Sequence, residues 1–211
     1  MRQALGAVEP RAVRLSKRLF DLAVVLLTLP IWLPILGLAL FATAIESGLP
    51  VFFKQERMGL GARPFTMIKV RTMKTAVAPP SGALFAGWTY RGDPRVTRVG
   101  SVLRRYRVDE LPQLLNVLRG DMSLVGPRPE PWGVAGELAS AIRGYTERHR
   151  VLPGITGLCQ ISPCYGDFGT IEKSRAKLQL DLQYVERASF WLDVHIIART
   201  VAVLLRGSGI A

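Results

Sequence analysis

Apolar residues are spread unevenly along this chain. From Leu22 to Ile45 the sequence reads LAVVLLTLPIWLPILGLALFATAI, without a charged side chain. As one straight helix the run would extend about 36 Å, enough to cross the hydrocarbon core of a bilayer. It is too long for a cleavable signal peptide, and no small-residue cleavage site follows it. Pro30 and Pro34 stand near its middle, where each removes a backbone donor and bends a helix. Arg11, Arg14, Lys17 and Arg18 precede the run, and Lys54 and Arg57 follow it. Positive charge marks the cytoplasmic side of a membrane segment. Cations at both ends therefore leave two readings level: a kinked helix that crosses, or a re-entrant one that enters a leaflet, breaks and returns.

Past Ser47 the period changes. VFFKQERMGLGARPFTMIKVRTM, from Val51, holds two β-rich runs separated by Gly59 and Gly61, which predicts a hairpin. Alternation puts Lys69 and Arg71 on one face, although a solvated edge strand would keep lysine there too. Thr75 to about Thr97 has the Pro/Gly/Ser content of a long loop, and such loops are more often functional or mobile than idle. VGSVLRRYRVDELPQLLNVLRGD then predicts two helices meeting near Asp109. Val102, Leu103 and Tyr106 form one apolar stripe; Leu111, Leu114, Leu115 and Leu118 form the next. Pro112 fits only a first helical turn, so the second helix should begin close to Asp109, itself a favoured N-cap. A further helix is expected over EPWGVAGELASAIRGYTERHRV and a glycine-rich turn at LPGITGL. The closing helical stretch sets Phe190, Trp191, Ile197, Val201 and Leu204 among Arg199 and Arg206, which suits a membrane interface and suits ordinary core packing nearly as well. The expected architecture is mixed α/β and helix-rich. A basic segment covers 1–18, a membrane element 19–48, and a compact domain with a short β-hairpin and interfacial amphipathic helices 49–211.

Charge narrows the partners. Twenty-eight Lys+Arg against sixteen Asp+Glu give a net +12, which suits nucleic acid, an anionic membrane surface or phosphorylated substrates. The 49% hydrophobic content favours the membrane, and no nucleic-acid-binding motif accompanies the charge, so no nucleic acid partner is expected. Two cysteines, Cys159 and Cys164, make neither a disulfide framework nor a zinc site, and His149 and His195 make no metal cluster. Catalysis is left to carboxylates and an oxygen-loving cation.

The adjacent acids Asp109 and Glu110 are the natural candidates. Read structurally, an Asp-Glu pair before a helix is a cap. Read chemically, an aspartate can attack phosphorus, provided Mg²⁺ and arginines neutralise the approaching anions. Arg104, Arg105, Arg128, Lys69 and Arg71 supply the cations. Such a site beside a membrane implies phosphoryl chemistry on a lipid-linked partner.

KRLFD at Lys17, VFFKQERMG at Val51, FTMIKVRTM at Phe65, DPRVTRVG at Asp93, DELPQLLNVLRGDMSLVGPRPE at Asp109, PGITGL at Pro153 and LDLQYVERASFWLDVHII at Leu180 stand in order. Together, from Arg14 to Leu205, they resemble the monotopic phosphoglycosyl transferases, the bacterial sugar transferase family. The resemblance implies transfer of a sugar 1-phosphate from a UDP-sugar to undecaprenyl phosphate, with release of UMP. This would take place on the cytoplasmic face of the bacterial inner membrane. It makes Asp109 the nucleophile and a Mg²⁺ ligand, with Glu110 completing the dyad. Arg104, Lys69, Arg71 and Arg128, the last within Pro127-Arg128-Pro129, would position phosphates or nucleotide, and Asp181 would line the nucleotide site. It also turns the apolar run into a re-entrant helix–break–helix, with the break at Pro34, in a minimal form of the family. Anionic lipids, downstream glycosyltransferases and a second copy of the chain complete the implied partners.

Two departures stand out. Leu152 precedes PGITG where many members carry a basic residue, and CQISPCYGD replaces a segment like AQVNGR, so an Asn and an Arg are missing. This divergent Cys159-to-Asp167 segment is expected to bear on sugar or nucleotide selection. The sugar, the glycan pathway and the oligomeric state stay open. So do two rivals: a membrane-bound phosphohydrolase using water as acceptor, and a non-enzymatic basic membrane adaptor.

Overall fold

The computed structural model describes residues 9, 11, 15–74, 93–162 and 170–205, without the side chains of 204 and 205. Most of the loop expected over 75–97 lies outside the described residues, as do Arg14, Cys164, Asp167 and Arg206.

The apolar run forms two helices, α1 (Leu15–Leu27) and α2 (Leu29–Ser47), with a turn at Thr28. The break expected at Pro34 is therefore displaced to Thr28, and Pro34 lies inside α2. Pro30 explains the shift. It sits in the first turn of α2, where a missing N–H is tolerated, while its ring prevents α1 from running on. Pro34 removes one further bond, and the helix continues through it. At the end of α1 the Val24 carbonyl accepts from both the Thr28 N–H (3.0 Å) and Thr28 Oγ1 (2.7 Å), and the Val25 carbonyl accepts from Trp32 Nε1 at 3.0 Å. Backbone groups in hydrocarbon need such internal partners. Among the described residues α2 is the one helix long and apolar enough to cross a membrane. Leu26, Leu27, Ile31, Leu38, Phe41 and Ile45 all point outward from the pair.

β1 (Phe52–Met58) and β2 (Pro64–Val70) make the expected antiparallel hairpin, with Phe52 opposite Val70 and Met58 opposite Pro64. α3 (Arg98–Arg105) and α4 (Gln113–Arg119) do not meet at Asp109. Between them Arg107 takes a left-handed conformation (φ 54°) and Val108–Glu110 forms a single 3₁₀ turn, so Asp109 caps no helix. Pro112, lacking an N–H, stands just ahead of α4 instead. β3 (Ser123–Val125) pairs in parallel with β4 (Gly154–Thr156), while α5 (Trp132–Ala141), α6 (Ile171–Arg187) and α7 (Phe190–Leu205) complete the domain.

The inner face of the helical pair belongs to the domain core. Val25, Trp32 and Leu36 join Met67, Val70, Leu103, Val117, Leu124, Tyr184 and Ile196 in one cluster. Polar ties reinforce this at helix ends. Glu46, in the last turn of α2, accepts from the N–H groups of Arg98 (2.8 Å) and Val99 (3.0 Å), which begin α3. Arg18 of α1 donates to the Leu118 carbonyl at the end of α4 (2.8 Å), and Lys17 pairs with Asp193 in the first turn of α7 (2.6 Å). Each charge stands where the helix dipole favours it or meets an acid that does.

The loop after β3 and the start of β4 touch backbone to backbone. Gly126 N–H donates to the Thr156 carbonyl at 2.8 Å and Gly154 N–H to that of Pro127 at 3.0 Å. A Cβ on Gly154 would lie 2.0 Å from the Gly126 nitrogen, and one on Gly126 would lie 2.3 Å from the Leu152 oxygen. Neither neighbour is a flexible side chain that could move aside. Gly154→Ala is expected to destabilise the protein by at least about 3 kcal/mol, read as a lowered thermal midpoint in detergent.

Candidate active site

Four segments converge on the acids: the end of β2 with Lys69, the 3₁₀ turn with Asp109 and Glu110, the loop after β3 with Arg128, and the end of α3 with Arg104. Their relative placement is fixed by a residue without charge. Asn116, fully buried in α4, accepts from the Ile68 N–H at 3.2 Å and donates to the Thr66 carbonyl at 2.8 Å and to Asp121 at 3.1 Å. It thereby sets β2, and so Lys69, against the turn that precedes α4. α3 is fixed separately: the Thr97 hydroxyl accepts from Gly100 N–H at 2.9 Å, and Gly100 lies against the Thr72 carbonyl, where a Cβ would come to 2.3 Å.

The two acids share a burial of 7% relative exposure and differ in everything else. Glu110 is gripped by the Arg128 fork, with Nη2 to Oε1 at 2.5 Å and Nη1 to Oε2 at 3.2 Å, and by Lys69 at 3.1 Å. Burial alone would raise its pKa, but Arg128 and Lys69 hold it well below the ordinary glutamate range. Asp109 accepts no hydrogen bond and forms no ion pair among the described residues. Burial, with Glu110 adding to it, raises its pKa to about 6 against the restraining charges of Lys69, Arg104 and Arg128. One carboxylate is fixed and neutralised; its neighbour is free, close to cations, and poised near neutrality.

Arg128 owes its position to its own backbone. All three carbonyls of Pro127-Arg128-Pro129 are occupied: Pro127 accepts from Gly154 N–H (3.0 Å), Arg128 from Arg148 Nη2 (2.8 Å) and Pro129 from Arg57 Nη1 (2.8 Å). Arg148 is itself buried, donates to the Tyr145 hydroxyl at 2.7 Å and pairs with Asp181 at 2.6 Å. Lys177 bonds Glu130 beside it. Burial would raise Glu130, yet Lys177 and Arg148 bring its pKa to about 2. Burial first, then the Arg148 charge, push His149 down to about 3, so that imidazole is neutral.

Of the predicted site residues, Asp109, Glu110, Lys69 and Arg128 come together with Pro127 and Pro129 behind them. Arg104 donates Nε to the Thr72 hydroxyl at 2.8 Å and acts on Asp109 through its charge. Arg71 is placed elsewhere. It follows the last residue of β2, and its guanidinium donates to the Ser47 and Gly48 carbonyls at 2.6 and 2.7 Å, ending α2. Asp181 lies in the buried network behind the Pro-Arg-Pro segment, with its side chain 2% exposed and turned to Arg148. Sequence reasoning missed Asn116, Arg148, Arg57 and the Glu130–Lys177 pair; the available signal was an Asn inside a leucine-rich helix and unassigned cations flanking assigned motifs. No group of three or more His, Cys, Asp or Glu side chains able to hold a metal occurs among the described residues.

Residues 12–207 match the model of the bacterial sugar transferase family. The chain belongs to that family. The motif resemblance noted in the sequence is thereby borne out. The chain is similar to a UDP-glucose:undecaprenyl-phosphate glucose-1-phosphate transferase of Caulobacter vibrioides, 44% identical over 95% of this chain and 74% of that one. It is 39% identical to a UDP-N-acetylgalactosamine-undecaprenyl-phosphate N-acetylgalactosaminephosphotransferase of Aeromonas hydrophila, over 97% of this chain but 47% of that protein. An exopolysaccharide production protein PSS of Rhizobium leguminosarum bv. phaseoli is 41% identical over 92% of this chain and 97% of its own length. The family member in hand thus spans about half of one relative and nearly all of another.

The unlike states of the two acids set opposite expectations for stability. The native protein retains the Asp109 proton up to about pH 6, whereas the unfolded chain releases it near 3.8, so the wild type loses stability as pH rises through that window. Asp109→Asn escapes this loss. It should be more stable than the wild type by on the order of 2 kcal/mol above about pH 6, the difference shrinking toward pH 4. Arg128→Ala leaves buried Glu110 half paired and should destabilise by about 3 kcal/mol. Thermal melts of both variants across pH check the pair.

Proposed function

We propose that this chain transfers a sugar 1-phosphate from a UDP-sugar to undecaprenyl phosphate through a phospho-sugar carried on Asp109. One observation carries the reading: of two adjacent buried carboxylates, Glu110 is locked by Arg128 and Lys69 while Asp109 is left without a partner. A carboxylate kept only as a cap or structural ion would be satisfied. In the first step an Asp109 oxygen forms a bond to the sugar-bearing phosphorus, the bond to the bridging oxygen breaks, and UMP leaves with that electron pair. In the second a phosphate oxygen of the acceptor bonds to the same phosphorus and the Asp109 carboxylate departs. Lys69, Arg128 and Arg104 together carry one more charge than Glu110 and the Asp109 carboxylate remove, so the site remains positive where diphosphate must gather.

The residues fit Mg²⁺ in the manner Mg²⁺ is commonly held, by one carboxylate and substrate phosphates. Asp109 is the carboxylate available for it, and the ion would supply neutralisation of phosphate charge. The names of the relatives above support the donor and acceptor classes and make UDP-glucose and UDP-N-acetylgalactosamine the first donors to try.

The helical pair is proposed to be re-entrant in the bacterial inner membrane, with the domain on the cytoplasmic side. Lys17 and Arg18 at the start of α1 and Glu46 at the end of α2 all bind the same domain, which favours both ends on one side. Thiol labelling of a cysteine placed ahead of Leu15 should occur only from the cytoplasmic side; labelling from the periplasm contradicts the re-entrant form.

The decisive test of the chemistry is an intact mass after incubation with donor and Mg²⁺, acceptor withheld, with UMP followed in parallel. An adduct of one phospho-sugar is expected, absent in Asp109→Asn, which should also abolish turnover. Because Asp109 attacks as the carboxylate, UMP release should fall about ten-fold per pH unit once acidification protonates it. Normal turnover by Asp109→Asn would remove the nucleophile from the mechanism.

A further inference from the structure

Beside the dyad lies a cavity of about 140 Å³ between the 3₁₀ turn, α4, β4 and α7. Arg107 and Glu110 contribute its charged wall, and Leu111, Leu114, Ile155, Ile161 and Val203 the aliphatic ones. Of its other polar lining, the Thr156 and Thr200 hydroxyls bond each other at 2.6 Å, and the amide of Gln160 is buried with no hydrogen-bond partner. A nucleotide fills a much larger pocket and presents no branched hydrocarbon to five aliphatic side chains. The cavity suits an amphiphile whose first few carbons are apolar and whose end is anionic.

We infer that this cavity seats the first isoprene of the polyprenyl phosphate acceptor, with its phosphate turned to Arg107 and the dyad. The inference rests on the acceptor class proposed above and adds the place where that acceptor is held. Charge complementarity fixes its direction, because the cation of Arg107 stands on the dyad side of the aliphatic walls. Continuity with the membrane face fixes the course of the rest of the chain. Val203 lines the cavity from α7, and the same helix exposes Trp191 (77%) and Val201 (50%) outward. A long prenyl chain that leaves the cavity past Val203 meets the exposed Val201 and Trp191 on the same helix, with the exposed His195 and Arg199 between them. Arg107, in its left-handed conformation two residues ahead of Asp109, is a positioning residue in this arrangement.

The first experiment uses the unaltered full chain in lipid nanodiscs with a prenyl phosphate bearing a photoreactive diazirine on its first isoprene. Label competed by unmodified acceptor should fall on peptides containing Leu111 to Leu114 or Val203. Label confined to α1 and α2 would overturn the site while leaving the acceptor reading intact; no saturable label anywhere would overturn the acceptor reading and the site with it. Val203→Trp fills the cavity from a helix and should raise the acceptor KM about ten-fold with the donor KM and the thermal midpoint unchanged. An unchanged acceptor KM in the folded variant overturns the proposal. A shift in donor KM or sugar preference instead would give the cavity to the sugar and overturn it equally. Neither readout depends on an adduct at Asp109, so the covalent route stands or falls separately.

Discussion

The grip of Arg128 on Glu110 is the contact on which the rest of this site depends. Two adjacent acids in a cation-rich pocket would ordinarily compete for the same partners, and their mutual repulsion would raise the pKa of one of them. Here the competition is resolved by geometry. The planar fork of Arg128 engages both oxygens of Glu110, and Lys69 adds a third contact, so the positive charge that reaches Asp109 arrives without a bond. A lysine in place of Arg128 could not hold both oxygens at once. The fork is held in its turn by a segment whose three successive carbonyls are bonded to three different parts of the chain. Backbone that makes no regular structure there is as constrained as a strand.

Dependence then runs outward in two directions. Behind the Pro-Arg-Pro segment, a buried set of Arg148, Asp181, Glu130, Lys177 and Tyr145 leaves few charges unmatched and so fixes one packing of α6 against the loop. In front of it, the seam of Gly126 and Gly154 permits an approach that any side chain would prevent. These two motifs, far apart in sequence, are one structural unit. Glycines in such a unit are needed for closeness, which differs from the freedom of φ that Gly61 provides in its turn (φ 62°).

Much of this was legible in the residues and some was not, for physical reasons. The hairpin of β1 and β2 followed from alternation and the glycines between the runs. The acids, Lys69 and Arg128 could be picked out because charged side chains in otherwise apolar, motif-like surroundings have few structural uses. Arg71 misled because alternation places its Cβ but not its guanidinium; a long side chain at a strand end reaches whichever carbonyls are unpaired, and those of α2 were near. Asp181 misled because a lone acid in a helix reads the same whether it meets a ligand or a buried arginine. The displaced helix break shows that two prolines in one run are not equivalent: the first, at a helix start, decides where the chain turns. Asn116 was invisible to periodicity, since one polar residue on an apolar stripe looks like an interruption until its three bonds are seen.

Glu46 and Arg71 exchange roles at the junction of α2 with the domain. The acid of the membrane helix begins α3, and the cation of the strand ends α2. Neither helix end is complete without the other element, so the joint transmits orientation rather than merely attaching two parts. α3 carries Arg104 at its far end and leads directly into the turn that bears Asp109. A tilt of α2 relative to the domain would therefore be felt at the turn that bears Asp109 through a short lever, the eight-residue helix α3.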